Sequence, residues 1–190
     1  MVEVSVRELL LDRLDDLRSG KVDVAFTRLL PGQSDIDIEV LAREPRLVVL
    51  PASHRLANRA RVAFSDLREE SFITNPVVED AGPPARWLAE QQRHGLPGRV
   101  AAEAASIQEI LTLVATGPGV CLVPATFAQH YPRDDLRYIE VSDADAAVVS
   151  LAWTRETARP IVEAFIHVAR QVADTDSAGQ VKKPVNRLTR

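Results

Sequence analysis

Val2, Val4 and Val6 alternate with Glu3 and Ser5, the period of a strand with one buried face. Over residues 9–18 the period changes. Leu10, Leu14 and Leu17 share one helical face, Asp12, Asp15 and Asp16 lie elsewhere, and Gly20 is a natural stop. Val22 to Phe26 then returns to strand. Strand, helix, glycine and strand in so short a span predict a βαβ unit, with parallel pairing and a right-handed crossover.

The pattern continues in the same alternation. Ile36 to Leu41 and Leu47 to Leu50 predict strands, the second closed by Pro51. Residues 52–70 read mostly as loop, with Arg55, Arg59, Arg61 and Arg68 solvated. Ser71 to Asn75 predicts a strand that stops at Pro76, and a helix begins at Pro84 and runs to Gly95. Val100 to Glu103 is again extended. Ser106 and Glu109 form a capping box, Ile107, Ile110, Leu111 and Val114 make the apolar stripe behind it, and Gly117 ends that helix. Val120 to Val123, Leu136 to Val141 and Val148 to Trp153 predict strands, with a short helix over 125–130. A last helix covers 158–173, with Ile161, Phe165, Val168 and Val172 on one face. Residues 174–190 lose all periodicity and are expected to be a disordered tail. Alternating strands and helices define an α/β fold.

Composition narrows the function classes. The chain is 46% hydrophobic and 26% charged, as expected of a globular protein. Its net charge of −4 leaves no basic footprint for a free-standing nucleic-acid binder. A lone Cys121 forms no internal disulfide. No signal peptide and no membrane-spanning run are visible, so the expected location is the cytoplasm.

His54, His94, His130 and His167 have no second ligand at metal-site spacing, so no metal is expected, and no cofactor is implied. Gly117-Pro-Gly119 follows a helix and precedes a strand, the reverse of a dinucleotide fingerprint, and reads as a helix stop with a tight turn. Cys121 sits between Val120 and Leu122 as a small buried hydrophobe, and Asp12, Asp15 and Asp16 as a solvated helix face. No constellation supports catalysis, and the chain is expected not to be an enzyme. A better signal is an anion site. The helix that starts at Ser106 and Ile107 presents N-terminal amides, and the strand ends at Thr27-Arg28 and Thr74-Asn75 supply hydroxyl, guanidinium and amide groups. In open α/β sheets ligands bind beyond the carboxyl ends of strands. Capping alone also accounts for Ser106.

Four segments then resemble LysR-type transcriptional regulators. Ser19-Gly-Lys-Val-Asp-Val-Ala-Phe-Thr-Arg28 is similar to that family's Gly-x-(Leu/Ile/Val)-Asp strand entry. Leu47-Val-Val-Leu-Pro-Ala-Ser-His-Arg-Leu56 resembles its His-Pro-Leu segment, with Arg55 in place of the proline. Ser65-Asp-Leu-Arg-Glu-Glu-Ser-Phe-Ile73 resembles its Asp-Leu segment. Ser106 to Pro124, with Leu-Val-Ala-Thr-Gly-Pro-Gly-Val-Cys-Leu-Val-Pro, is the most specific of the four. All occur in family order and at family spacing, and the resemblance as a whole covers about residues 2–173. The details Ala25-Phe26 with Arg28, and Pro51-Ala-Ser-His54, lean towards the branch that responds to aromatic-degradation intermediates such as muconate.

The resemblance implies the C-terminal effector-binding domain, a two-lobed periplasmic-binding-protein-like (type 2) fold with a hinge of two crossing strands. Its expected layout is a first lobe from residues 1–50, a second from 51–124, and a return to the first over 125–173, with crossings near Leu50–His54 and near Pro124. Its expected ligand is a small organic anion in the interlobe cleft, held by Thr27, Arg28, Thr74, Asn75, Ser106 and Ile107, with Arg28 as the bidentate partner of a carboxylate. The family's helix-turn-helix domain, and the first strand and helix of its effector domain, have no counterpart here. The chain is therefore expected to be an excised or truncated piece whose dimer or tetramer, and whose DNA contacts, belong to the full-length protein. A solute-binding protein of a transport system, and less readily an enzyme on the same scaffold, are the alternatives.

Overall fold

A computed structural model of the chain describes residues 14–28, 35–74, 99–155 and 160–180. The expected strand at Val2–Val6, the first half of the helix over 9–18 and the helix from Pro84 lie outside these residues. Two compact units emerge, residues 1–43 with 148–190, and residues 44–147.

In the first unit, helix α1 (Asp15–Arg18) precedes strand β1 (Val24–Thr27), and β2 (Ile36–Glu44) and β9 (Ala147–Thr154) complete a three-stranded sheet in the order β1-β9-β2. The described partner of β1 is antiparallel β9, with Thr27 opposite Ser150. The parallel partner expected at Val2–Val6 falls outside the described residues. Both faces of the sheet are covered, so the strands alternate between two apolar sets. Ala25, Ile36 and Ala152 join Leu14 and Leu17 of α1, whereas Val24, Leu41, Leu151 and Trp153 pack with Val162 and Ile166 of the C-terminal helix α4 (Pro160–Gln180). That helix continues past the expected end at residue 173, and residues 174–180 are helical where a disordered tail was expected. Loss of apolar periodicity removes a packing face, but each added residue still gains one backbone hydrogen bond. The Thr175 hydroxyl also donates to the Gln171 carbonyl at 2.8 Å.

Three arginines fasten the acidic positions at and along β2. Arg18 donates to Asp35 at 2.7 Å, Arg155 to Asp37 at 2.8 Å, and Arg170 to Glu39. Hydrogen bonding from Arg18 lowers the Asp35 pKa, and that from Arg170 lowers the Glu39 pKa. A carboxylate depressed in the folded state contributes stability that is present above its unfolded pKa and lost as pH falls. The thermal midpoint of the first unit should therefore hold between pH 7 and about 5 and fall as pH drops through about 4. Glu39→Gln should remove part of that fall, and a midpoint flat down to pH 3 would contradict these pairings.

In the second unit, β3 (Arg46–Pro51) is central to the sheet β4-β8-β3-β7, formed with β4 (Arg61–Val62), β7 (Cys121–Pro124) and β8 (Leu136–Val141). β5 (Ser71–Thr74) and β6 (Arg99–Glu103) pair in parallel. Alternation again fills two faces. Val48, Leu50, Leu122, Ile139 and Val141 meet Val62, Phe64, Leu67 and Phe72, whereas Val49, Cys121, Val123 and Leu136 meet Ile110, Leu111 and Val114 of α2 (Ile107–Thr116). A short helix α3 (Phe127–His130) follows β7.

Two expectations need correction. Residues 52–70 contain β4 and a 3-10 turn, Phe64–Leu67, because Val62, Phe64 and Leu67 are core residues, and Arg55 is tied to Glu70 at 2.7 Å. The chain also changes unit at 43/44 and 147/148, near the end of β2 and the start of β9, not near Leu50–His54 and Pro124. β3 and β7 pair antiparallel within one sheet, Leu47 opposite Val123, which keeps both expected crossing points inside the second unit.

Candidate functional site

In the first unit, β1 delivers Thr27 and Arg28 to its carboxyl end. Thr27 is buried opposite Ser150, which is fully buried in β9. One guanidinium N–H of half-buried Arg28 donates to the Val148 carbonyl at 3.3 Å. That bond holds the guanidinium head itself, a group whose fork-like donors suit a carboxylate.

In the second unit, β5 ends at Thr74, which is 1% exposed and opposite Glu103 of β6. The Ala104 amide donates to the Thr74 carbonyl at 2.9 Å, which brings the start of α2 to the carboxyl end of β5. Thr74, Ser106 and Ile107 are thus gathered at one edge, and Asn75 lies outside the described residues. The capping box is formed as expected. Ser106 Oγ accepts the Glu109 amide at 3.3 Å, and Glu109 Oε2 accepts the amides of Ser106 at 3.2 Å and Ala105 at 2.9 Å. The amides of Ile107 and Gln108 donate to no group among the described residues, and they stand at the positive end of the helix dipole.

Two glycines hold this edge in place. Gly117 closes α2 with φ of 91°, the left-handed conformation that favours glycine. A Cβ on Gly119 would lie 2.7 Å from the Ser71 carbonyl oxygen, because Val120 and Ser71 bond backbone to backbone there. The Gly-x-Gly is therefore a helix stop followed by a close backbone approach, both of which place β5 beside β7.

Ser150 was not among the residues singled out. Its signal was available, as the one hydroxyl between Ala147 and Trp153 in an apolar run. Burial pushes the Cys121 thiol up to about 12, so it is protonated at neutral pH. Among the described residues no group of three or more histidine, cysteine or acidic side chains is placed to hold a metal ion, and no helix is long and apolar enough to cross a membrane.

Residues 1–174 match the family described as the LysR substrate binding domain. The chain belongs to that family. Among curated relatives of this LysR domain, it is 31% identical over 175 residues to the HTH-type transcriptional regulator CatR of Pseudomonas putida, covering 91% of this chain and 60% of CatR. It is 31% identical over 160 residues to the HTH-type regulator TfdS of Cupriavidus pinatubonensis, covering 84% of this chain and 54% of TfdS. The chain thus spans little more than half the length of these curated relatives. Among solved structures it resembles the BenM effector binding domain with its effector benzoate, at 25% identity and a TM-score of 0.70, covering 94% of this chain and 80% of that one. The fold of this LysR domain is that of the family's effector-binding domains, periplasmic-binding-protein-like (type 2), with two α/β units joined by two strands.

Proposed function

We propose that this LysR domain is the sensing part of a transcriptional regulator and that its effector is a small organic acid. The observation that carries the reading is its membership of the LysR substrate binding domain family. The solved relative bound to benzoate, an aromatic carboxylate, supports the ligand class. The donor set supports it too. Arg28 supplies a guanidinium fork, the Ile107 and Gln108 amides supply the end of a helix dipole, and Thr27, Thr74 and Ser106 supply hydroxyl groups. Asn75 is kept in the same set.

Effector binding would favour one arrangement of the two units over another, and a homo-oligomer of the whole regulator would pass that preference to DNA-binding domains outside this chain. Moving such an equilibrium from 1:99 to 99:1 takes about 5.5 kcal/mol of differential affinity.

A panel of mono- and dicarboxylates that includes benzoate and muconate tests this reading by thermal denaturation. A ligand that binds the native state alone stabilises it by about 2.7 kcal/mol at 100 times its Kd. At least one acid should raise the midpoint in a saturable way, whereas uncharged amide analogues should not. No shift across the whole panel would overturn the organic-acid reading.

A further inference from the structure

The turn after β3 is held by one side chain that bonds in two directions. Imidazole Nδ1 of His54 accepts the Leu56 amide at 3.2 Å, and Nε2 lies 3.3 Å from Glu70 Oε2. Glu70 is the residue that leads into β5, and its other oxygen accepts from Arg55 at 2.7 Å. Leu56 and Ala57, just beyond, are buried in the second unit's core.

A neutral imidazole has one N–H and one acceptor nitrogen. Because Nδ1 accepts from Leu56, the proton belongs on Nε2, where it donates to Glu70. The ring bridges the two partners only in that state. When it takes up a second proton, both nitrogens become donors. Nδ1–H then faces the Leu56 N–H, donor against donor, whereas the contact with Glu70 becomes a full ion pair. Among the described residues, Glu70 pairs with the ring and Arg55 pairs with Glu70. Arg55 also donates to the Asp66 carbonyl at 2.7 Å, and the Asp66 carboxylate is taken up by the Ala63 amide at 2.9 Å. Arg55 shares Glu70 with the ring, so it moderates the pull on the imidazolium without removing it.

We propose that His54 is a pH-sensitive switch for the turn that seats Leu56. In the neutral state the turn is fastened both to Leu56 and to Glu70. In the charged state the ring stays on Glu70 and releases the Leu56 amide, which loosens the turn while the entry to β5 keeps its anchor.

Nitrogen-15 spectra of the full chain across a pH titration test it. The ring nitrogens should report the Nε2–H tautomer in the neutral state. The Leu56 amide should shift with the same midpoint as the ring, and its exchange protection factor should fall roughly tenfold or more on the acid side, the loss of one hydrogen bond. Glu70→Gln should move both midpoints together to lower pH, since the charged ring loses its carboxylate. An Nδ1–H tautomer, or a Leu56 protection factor unchanged across the ring's titration, would overturn the switch. A Glu70→Gln variant whose midpoints stay where they were would overturn the anchoring role of Glu70. The wild-type spectra decide the switch itself even if that variant does not fold.

Discussion

Replacing Phe72 with alanine should cost the second unit about 3–5 kcal/mol, the usual penalty for emptying a packed aromatic site. Phe72 is 1% exposed and packs in β5 with Val48, Leu122 and Val120, which are buried with it. Its backbone also forms a parallel bridge with Val120, just before β7. Domains are stable by only about 5–15 kcal/mol, so this loss is a large share of the total. Phe26 is the internal control. It has the same side chain but is 58% exposed, and it touches the ring of Phe165 edge-on at 6.3 Å. Phe26→Ala should cost about 0.5–1.5 kcal/mol, the worth of an aromatic pair. Urea unfolding of both variants checks the contrast, and equal losses would contradict the placement of Phe72 in the core.

The second large effect concerns the ligand. Arg28→Ala should weaken binding of whichever acid gives the greatest thermal shift by about 10- to 150-fold, the loss of a hydrogen bond to a charged group worth about 1.5–3 kcal/mol. The midpoint of the same variant without ligand is measured alongside, because Arg28 also donates to the Val148 carbonyl within its own unit. Arg28→Lys should give an intermediate affinity, since a point charge replaces a two-pronged donor. Calorimetric titration separates these cases. Affinity unchanged in Arg28→Ala would remove Arg28 from the site, whereas a collapsed unliganded midpoint would make its role structural.

Local chemistry makes much of the fold legible in the sequence. Ser106 and Glu109 are the right pair at the right spacing, and they cap α2 as that spacing requires. The strands around Val48, Leu122 and Leu151 are mostly apolar runs, the strand around Ile139 alternates apolar with charged residues, and each forms within about two residues of its expected ends. Strand partners were not legible. Nothing local to Leu47 says that it will face Val123, and reading Pro51 and Pro124 as exits from a lobe followed from treating a strand's end as a domain's end. The better signal was length. β2 has nine residues against four in β1, and it is the longer strand that passes from one unit into the next. The end of α4 was missed because apolar spacing reports a packed face and not the helix itself.

The candidate site was legible in its parts. Hydroxyl and guanidinium groups at strand ends, together with a capped helix start, are sequence features, and the structure puts Thr27 and Arg28 on one unit and Thr74, Ser106 and Ile107 on the other. Ser150 escaped because its importance depends on pairing with Thr27, a partner far along the chain.

The central claim is that this LysR domain binds a small organic acid through those groups. The most direct measurement is amide mapping. The isotope-labelled chain is titrated with the acid that most raises its thermal midpoint, and shift changes are followed residue by residue. The account predicts saturable changes concentrated at Thr27, Arg28, Thr74, Ile107 and Gln108, abolished in the same concentration range by Arg28→Ala. Changes confined to other surfaces, or no saturable change at any of these amides, would contradict it.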